Sequence, residues 1–368
     1  SCTFCGVGTS GRRIFINSEG ELGMDMAFEF GIETFGEVPV DDAGTPVSYG
    51  QALRQVVEEA KLADELGIDV IALGEHHRDD YAISSPEMVL SAAASVTDTI
   101  KLGTAVTVLS SDDPVRLFER FATLDGVSNG RAQIMLGRGS FTESFPLFGF
   151  DLRDYNKLFD EKIALWDELL EEEPVTWDRG GRVLNEADVF PKTESGRIET
   201  WVGVGGSPES VIRAAKYEFP LMLAIIGGEA SRFKPFADLY RAALEQLGKE
   251  PQRVGVHSHG FIQKDAKDAK EIYFPGFKKG RDRIGAERGW AGLSRGQYEH
   301  EVKHGSLYIG NPEQVAEKIV ATVRALDLDR FDFTYSGSQS LTGKARLESI
   351  ELFGTEVIPL VRKELGDE

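Results

Sequence analysis

Cysteine is nearly missing. Cys2 and Cys5 are the only two in 368 residues, too few for a disulfide framework. One CxxC pair without a second also cannot supply the four ligands of a structural zinc site. So little thiol in so long a chain fits a reducing cytoplasm, the compartment expected here. No apolar run approaches the length of a membrane span, and the first 23 residues hold no signal-peptide core. Those residues, 1–23, read as an N-terminal extension ahead of the fold, such as a vector remnant or an upstream-start artefact. Basic residues are outnumbered, 41 against 61 acidic ones, for a net charge of −20; this disfavours nucleic acid and anionic membranes as partners. What is present is ordinary for a globular chain, 41% hydrophobic and 28% charged, with material for a sizeable core. No repeat, low-complexity tract or linker divides it, so 24–368 reads as one domain.

Strand-like and helix-like runs alternate from end to end. Continuous apolar or β-branched segments at 27–33, 69–74, 100–108, 131–136, 200–205, 221–226, 254–262 and 330–335 suit strands covered on both faces. Amphipathic stretches lie between them, and Pro86, Pro114, Pro208 and Pro312 fall where helices should begin. A helix over 344–364 closes the chain. Eight strands alternating with helices predict an α/β fold of the (β/α)8 TIM-barrel type, with an open doubly wound sheet as the alternative. Two connections are long. Residues 139–199, after strand 4, hold a helix and a hairpin around Asp178-Arg179-Gly180-Gly181. Residues 263–308, after strand 7, include a Gly/Arg/Lys-rich stretch at 277–296 that reads as a mobile lid.

In such a barrel, function gathers in the loops after the strands' C-terminal ends. The second strand is followed by Glu75-His76-His77-Arg78, side chains suited to proton transfer near neutral pH. The third contains Gly103-Thr104-Ala105-Val106, small enough to admit a flat ring against the backbone. Gly137-Arg138-Gly139 follows the fourth. Gly205-Gly206-Ser207-Pro208 follows the fifth and opens a helix. Converging glycine amides at a helix N-terminus make an anion cup, and an arginine between glycines on the neighbouring strand adds a fork of donors. Together these predict a phosphate-bearing cofactor. Each residue also has a plainer reading: Ser207 as helix cap, Arg138 as partner of an acidic neighbour, and the strand-end histidine as a hydrogen-bonded structural residue. His257 and His259 share a strand face, as pocket lining or packing rather than a metal pair. The aromatic segment 141–150 either walls a substrate pocket or packs on itself.

These residues, in this order and spacing, resemble the bacterial luciferase-like flavin monooxygenases. The likeness runs through Gly74-Glu75-His76-His77, Thr99-Ile100-Lys101-Leu102-Gly103-Thr104-Ala105-Val106 and Asp113-Pro114-Val115-Arg116. It continues in 122–131, Leu136-Gly137-Arg138-Gly139, Leu158-Phe159-Asp160-Glu161, Gly205-Gly206-Ser207-Pro208-Glu209 and Gly310-Asn311-Pro312-Glu313, covering nearly all of 24–365. The resemblance implies a barrel binding FMN at its C-terminal mouth. Arg138, Gly205, Gly206 and Ser207 would hold the phosphate, and Thr104, Ala105 and Val106 would lie against the isoalloxazine. It also implies a cis peptide at Ala105–Val106. His76 matches the essential histidine of the luciferase catalytic subunit, where the non-catalytic subunit carries Asn. Two departures, Gly137 in place of a reactive Cys and the region of Ile225 in place of a Trp, withdraw light emission and any particular substrate from what the likeness implies.

The activity expected on this basis is a monooxygenase using reduced FMN and O2 on a small organic substrate. His76 would act as base or acid, with Glu75 or a nearby group fixing its tautomer. A separate NAD(P)H:flavin reductase and a homodimer go with that expectation. The alternatives are a hydride-transfer oxidoreductase using flavin or the deazaflavin F420, and a non-catalytic flavin-binding partner subunit.

Overall fold

The computed structural model describes residues 27–139 and 141–367, and ahead of them the backbone of three short antiparallel strands, Thr3–Val7, Arg13–Ile16 and Leu22–Gly23. The side chains of Cys2 and Cys5, and the reading of 1–23 as an extension, lie outside the described residues.

Alternation of apolar and inward-facing polar residues builds the strands. Those of the barrel are β1 (Glu29–Thr34), β2 (Val70–Leu73), β3 (Lys101–Thr104, resuming as Thr107–Val108), β4 (Gln133–Gly137), β5 (Glu199–Val204), β6 (Leu221–Ala224), β7 (Val254–Ile262) and β8 (Arg330–Thr334). All pair in parallel, in the order β3-β2-β1-β8-β7-β6-β5-β4. The barrel closes because the first half of β3 pairs with β2 and its second half pairs with β4. The amide of Leu102 also donates to the Arg131 carbonyl at 2.8 Å. The break in β3 is a cis peptide at Ala105–Val106, where the resemblance placed one.

Outward side chains such as Phe30, Ile32 and Ile71 are fully buried under the helix layer. The barrel's N-terminal end is sealed by charge rather than grease. Lys101 Nζ lies 3.0 Å from Glu199 and 3.4 Å from Glu29, and Arg253 bridges the same two carboxylates. Pro86, Pro114, Pro208 and Pro312 each stand at the first position of a helix. The hairpin forms as Val175–Arg179 and Arg182–Ala187, with Gly180 and Gly181 turning at φ of 64° and 76°.

Two segments depart from expectation. The stretch expected to be a mobile lid is helical for its first half: one helix runs from Ala266 to Arg288 and stops only at Gly289, whose left-handed φ of 71° ends it. The Lys and Arg residues there are good helix formers and carry the amphipathic run on to Arg288. The closing helix is interrupted, Gly343–Leu352 and Ile358–Leu365 being joined by a π-helical turn, Phe353–Val357. Among the described residues no helix is long and apolar enough to cross a membrane.

Candidate active site

The mouth of the barrel is built from the chain just past each strand. Beyond β2, Glu75, His76 and His77 diverge. His76 turns inward and is buried; its Nδ1 lies 3.1 Å from the Phe35 carbonyl oxygen at the exit of β1. Its ring stacks on Tyr81, centroids 4.3 Å apart and planes 15° from parallel, with Phe35 and Phe141 on its flanks at 5.5 and 5.4 Å. Burial drives the imidazole down to about 3, and the charges of His77 and Arg78 push the same way. His76 is therefore neutral at any working pH, with Nδ1 as hydrogen-bond donor to the carbonyl.

Of the two partners expected for His76, Glu75 or a nearby group, the structure has the nearby group, the Phe35 carbonyl. The Glu75 carboxylate accepts from His77 Nε2 at 2.8 Å and from the amide of Val108 at 2.9 Å. A carboxylate so engaged ties the β2 exit to the second half of β3, and the Phe35 carbonyl does the orienting instead. Phe35 and Tyr81 escaped the sequence reading because nothing local marks them; each becomes a wall only when β1 and the loop after β2 meet.

Ala105 and Val106 lie at the top of the barrel interior, Ala105 buried against Ala72, Met135, Trp201 and Met222. Thr104 Oγ1 bonds Thr107 Oγ1 across the cis link at 2.9 Å, which holds both ends of the break. The Val106 side chain packs between two glycines. A Cβ on Gly137 would fall 2.8 Å from Val106 Cγ1, and one on Gly203 would fall 2.9 Å from it. With Val106 in this pose no side chain fits at Gly137.

Arg138 leaves β4 with its guanidinium 4.8 Å over the ring of Tyr155 and takes no acidic partner among the described residues. Gly206, at φ of 144°, turns the chain into the helix Pro208–Lys216. Ser207 caps that helix, its hydroxyl accepting from the Ser210 amide at 3.4 Å, so the plainer reading of Ser207 describes its side chain here. The amides of Gly205 and Gly206 meet no acceptor among the described residues, and a Cβ on Gly205 would meet nothing within 4 Å. An open glycine turn, a helix N-terminus and an arginine without a counter-ion among the described residues fit a phosphate.

An ion-pair clasp covers the other side. Arg78, its side chain only 5% exposed, lies 3.1 Å from Asp80, 3.0 Å from Glu143 and 2.9 Å from Glu287, and caps the Phe141 ring at 4.2 Å. Arg283 adds bonds to Asp79 and Asp80. The loop after β2, the 141–151 segment and the Ala266–Arg288 helix are thereby fastened together. Phe141 flanks His76, while Phe145 packs on Tyr155.

Known proteins share this fold. A solved structure of similar fold is the FMN-bound oxygenating constituent of 3,6-diketocamphane monooxygenase from Pseudomonas putida, a type II Baeyer-Villiger enzyme. It has a TM-score of 0.72 and 20% identity, over 91% of this chain and 99% of that one. Another is the coenzyme F420-dependent tetrahydromethanopterin reductase of Methanopyrus kandleri, with a TM-score of 0.69 and 20% identity over 91% and 99%. By sequence the chain is 25% identical to the alkanal monooxygenase alpha chain of Photorhabdus luminescens over 230 residues, 61% of this chain and 63% of that relative. The family model described as luciferase-like monooxygenase matches residues 28–329, and the chain belongs to that family.

Proposed function

We propose that this protein is an FMN-dependent monooxygenase that oxygenates a small organic substrate with reduced flavin and O2. It would take the flavin from a separate NAD(P)H:flavin reductase and work as a cytoplasmic homodimer. One observation carries the reading. The Ala105–Val106 platform, backed by Gly137 and Gly203, has a phosphate-competent cup on one side and a buried neutral histidine on the other. Family membership supports an oxidoreductase; the site residues supply the rest.

In this reading Arg138 and the amides of Gly205, Gly206 and Ser207 hold the phosphate, and Thr104, Ala105 and Val106 support the isoalloxazine. Reduced FMN, when bound, supplies the two electrons that reduce dioxygen. His76, held neutral, offers Nε2 to the reacting centre as a hydrogen-bond partner or base, oriented from behind by Phe35. Glu75 acts at one remove, by fixing the β2–β3 junction. The Arg78 clasp and its aromatic neighbours keep water out. The residues 24–368 would form the working barrel, with 1–23 outside it.

Titration of the purified protein with FMN and, separately, with F420, followed by visible absorbance, tests the assignment. Saturable FMN binding with little response to F420 is expected. The reverse would replace oxygenation with F420-linked hydride transfer, the reading favoured by the fold shared with the Methanopyrus kandleri reductase. Failure to bind either would return the chain to the role of a non-catalytic partner, against which the histidine at position 76 weighs.

A further inference from the structure

Under the mouth lies a buried charge cluster that the roles above do not use. Glu33 is fully buried on the inner face of β1, and its Oε2 lies 2.6 Å from Nδ1 of His257 on β7. Asp332 on β8 is also fully buried and is gripped by Arg330 through two bonds of 2.7 Å; Arg330 in turn donates to Gln133 at 2.7 Å. Gly31 makes room for this, since a Cβ there would collide with the Asp332 carboxylate.

The charges can be counted. Arg330 neutralises Asp332, which leaves the Glu33 carboxylate as a buried anion unless the cluster binds one more proton. On the pair that proton has two homes, Glu33 and His257, and Asp332 beside Glu33 favours keeping it there. Burial raises Glu33 to about 7, while the Glu33 carboxylate raises His257 against the effect of burial. Two other charges from β8 face His257: Asp332 raises it as Glu33 does, and Arg330 lowers it. The Thr334 hydroxyl from β8 bonds Glu33 at 3.4 Å, His259 on the same strand is pushed by burial down to about 4, and Phe35, just past β1, meets the ring edge-on at 6.0 Å. The second ring nitrogen of His257, Nε2, has no hydrogen-bond partner among the described residues, and the side chain keeps 6% of its surface open. Phe35 is also the neighbour of His76, so the open edge of His257 and the stacked His76 border the same aromatic floor.

We propose that the Glu33–His257 pair is the proton store of this site, holding one proton at neutral pH and delivering it into the mouth from Nε2 of His257. The proposal rests on the reading of the mouth as an oxygen-activating flavin site. With reduced flavin bound, oxygenation would consume one proton, the flavin monoanion, O2, substrate and a proton giving oxidised flavin, oxygenated substrate and water. His76, kept neutral by burial, is not the group to supply it. His257 gives it up, and Nε2 takes another from solvent. Glu33 is a positioning and charge-setting residue behind it.

The test has one arm on the protein without cofactor and one with it. Histidine ring resonances are followed by NMR across a pH titration, with His257 assigned by its disappearance in His257→Gln. In the wild type His257 should stay protonated through neutrality, and in Glu33→Gln its titration should fall by roughly one to three pH units, the span of a lost neighbouring charge. An unmoved titration, or a His257 already neutral at pH 7 in the wild type, would overturn the proposal. In the second arm reduced FMN is mixed with O2 and flavin reoxidation is followed by absorbance. His257→Gln should bind FMN within about twofold of wild type yet reoxidise it at least about tenfold more slowly at neutral pH, at the low end of what a general acid contributes; an unchanged rate would also overturn it. If the wild type binds no FMN, the flavin reading fails, and the NMR arm still decides whether the store exists.

Discussion

Replacing His76 with asparagine converts a buried titratable ring into a neutral group that still has a donor for the Phe35 carbonyl. The consequence appears in stability against pH. Folded His76 resists protonation down to about 3, whereas the unfolded chain takes up a proton at the ordinary value of 6.5. The unfolded state therefore binds more protons between those limits, and stability falls as pH drops from 6.5 toward 3. Each pH unit inside that window costs about 1.4 kcal/mol. Between pH 7 and pH 5 the wild type should lose about 2 kcal/mol through this one group, to order of magnitude, and His76→Asn should not. His259, also held low by burial, is present in both proteins and cancels in the difference. Urea unfolding at a series of pH values, wild type minus variant, reads the effect directly. Two curves parallel to within about 0.5 kcal/mol, well under the expected linkage, would mean that His76 is hydrated and titrates normally.

Other perturbations follow from the same geometry. Arg138→Ala removes the charged fork from the cup and should weaken FMN about 10- to 100-fold, as befits a charge-assisted bond. Riboflavin, which lacks the phosphate, should bind both proteins alike; an equal loss for both ligands would place Arg138 elsewhere. Gly137→Cys puts a Cβ 2.8 Å from Val106 Cγ1 and should cost about 1–3 kcal/mol by overpacking, measured by denaturant titration. A neutral result would show that Val106 can move aside. Arg78→Ala opens the clasp to Glu143 and Glu287. It should speed amide hydrogen exchange in the C-terminal turns of the Ala266–Arg288 helix while leaving β1 and β8 protected, and uniform exchange would deny the clasp.

Much of the fold was legible because it rests on local signals. Runs of buried β-branched residues, prolines at first helical positions and the doubled glycine at 180–181 each mark their element from nearby sequence. The cis link at Ala105–Val106 came from the resemblance alone; composition gives no hint of it. Local signals failed where partners are remote. His76 takes its orienting carbonyl from residue 35 and Arg78 its carboxylate from residue 287, separations of 41 and 209 residues. Glu75 was one of two partners expected for His76, and the strand exit turned it to His77 instead. Glu33 left a trace that could have been read: with Glu29 and Gly31 it occupies the inward positions of a strand whose outward positions are Phe30 and Ile32. A carboxylate at a buried inward position requires a partner, and His257 on β7 supplies it.

The central claim, oxygen activation at a flavin held over the Ala105–Val106 platform, is tested most directly by isotope. Protein charged with reduced FMN is given labelled dioxygen and a panel of small aldehydes, cyclic ketones and terpenes, and the products are weighed by mass spectrometry. One labelled oxygen atom should enter a product and the other appear in water, and His76→Asn should abolish the incorporation while FMN still binds. Substrate conversion without label, or no consumption of dioxygen beyond that of free reduced flavin, would contradict it.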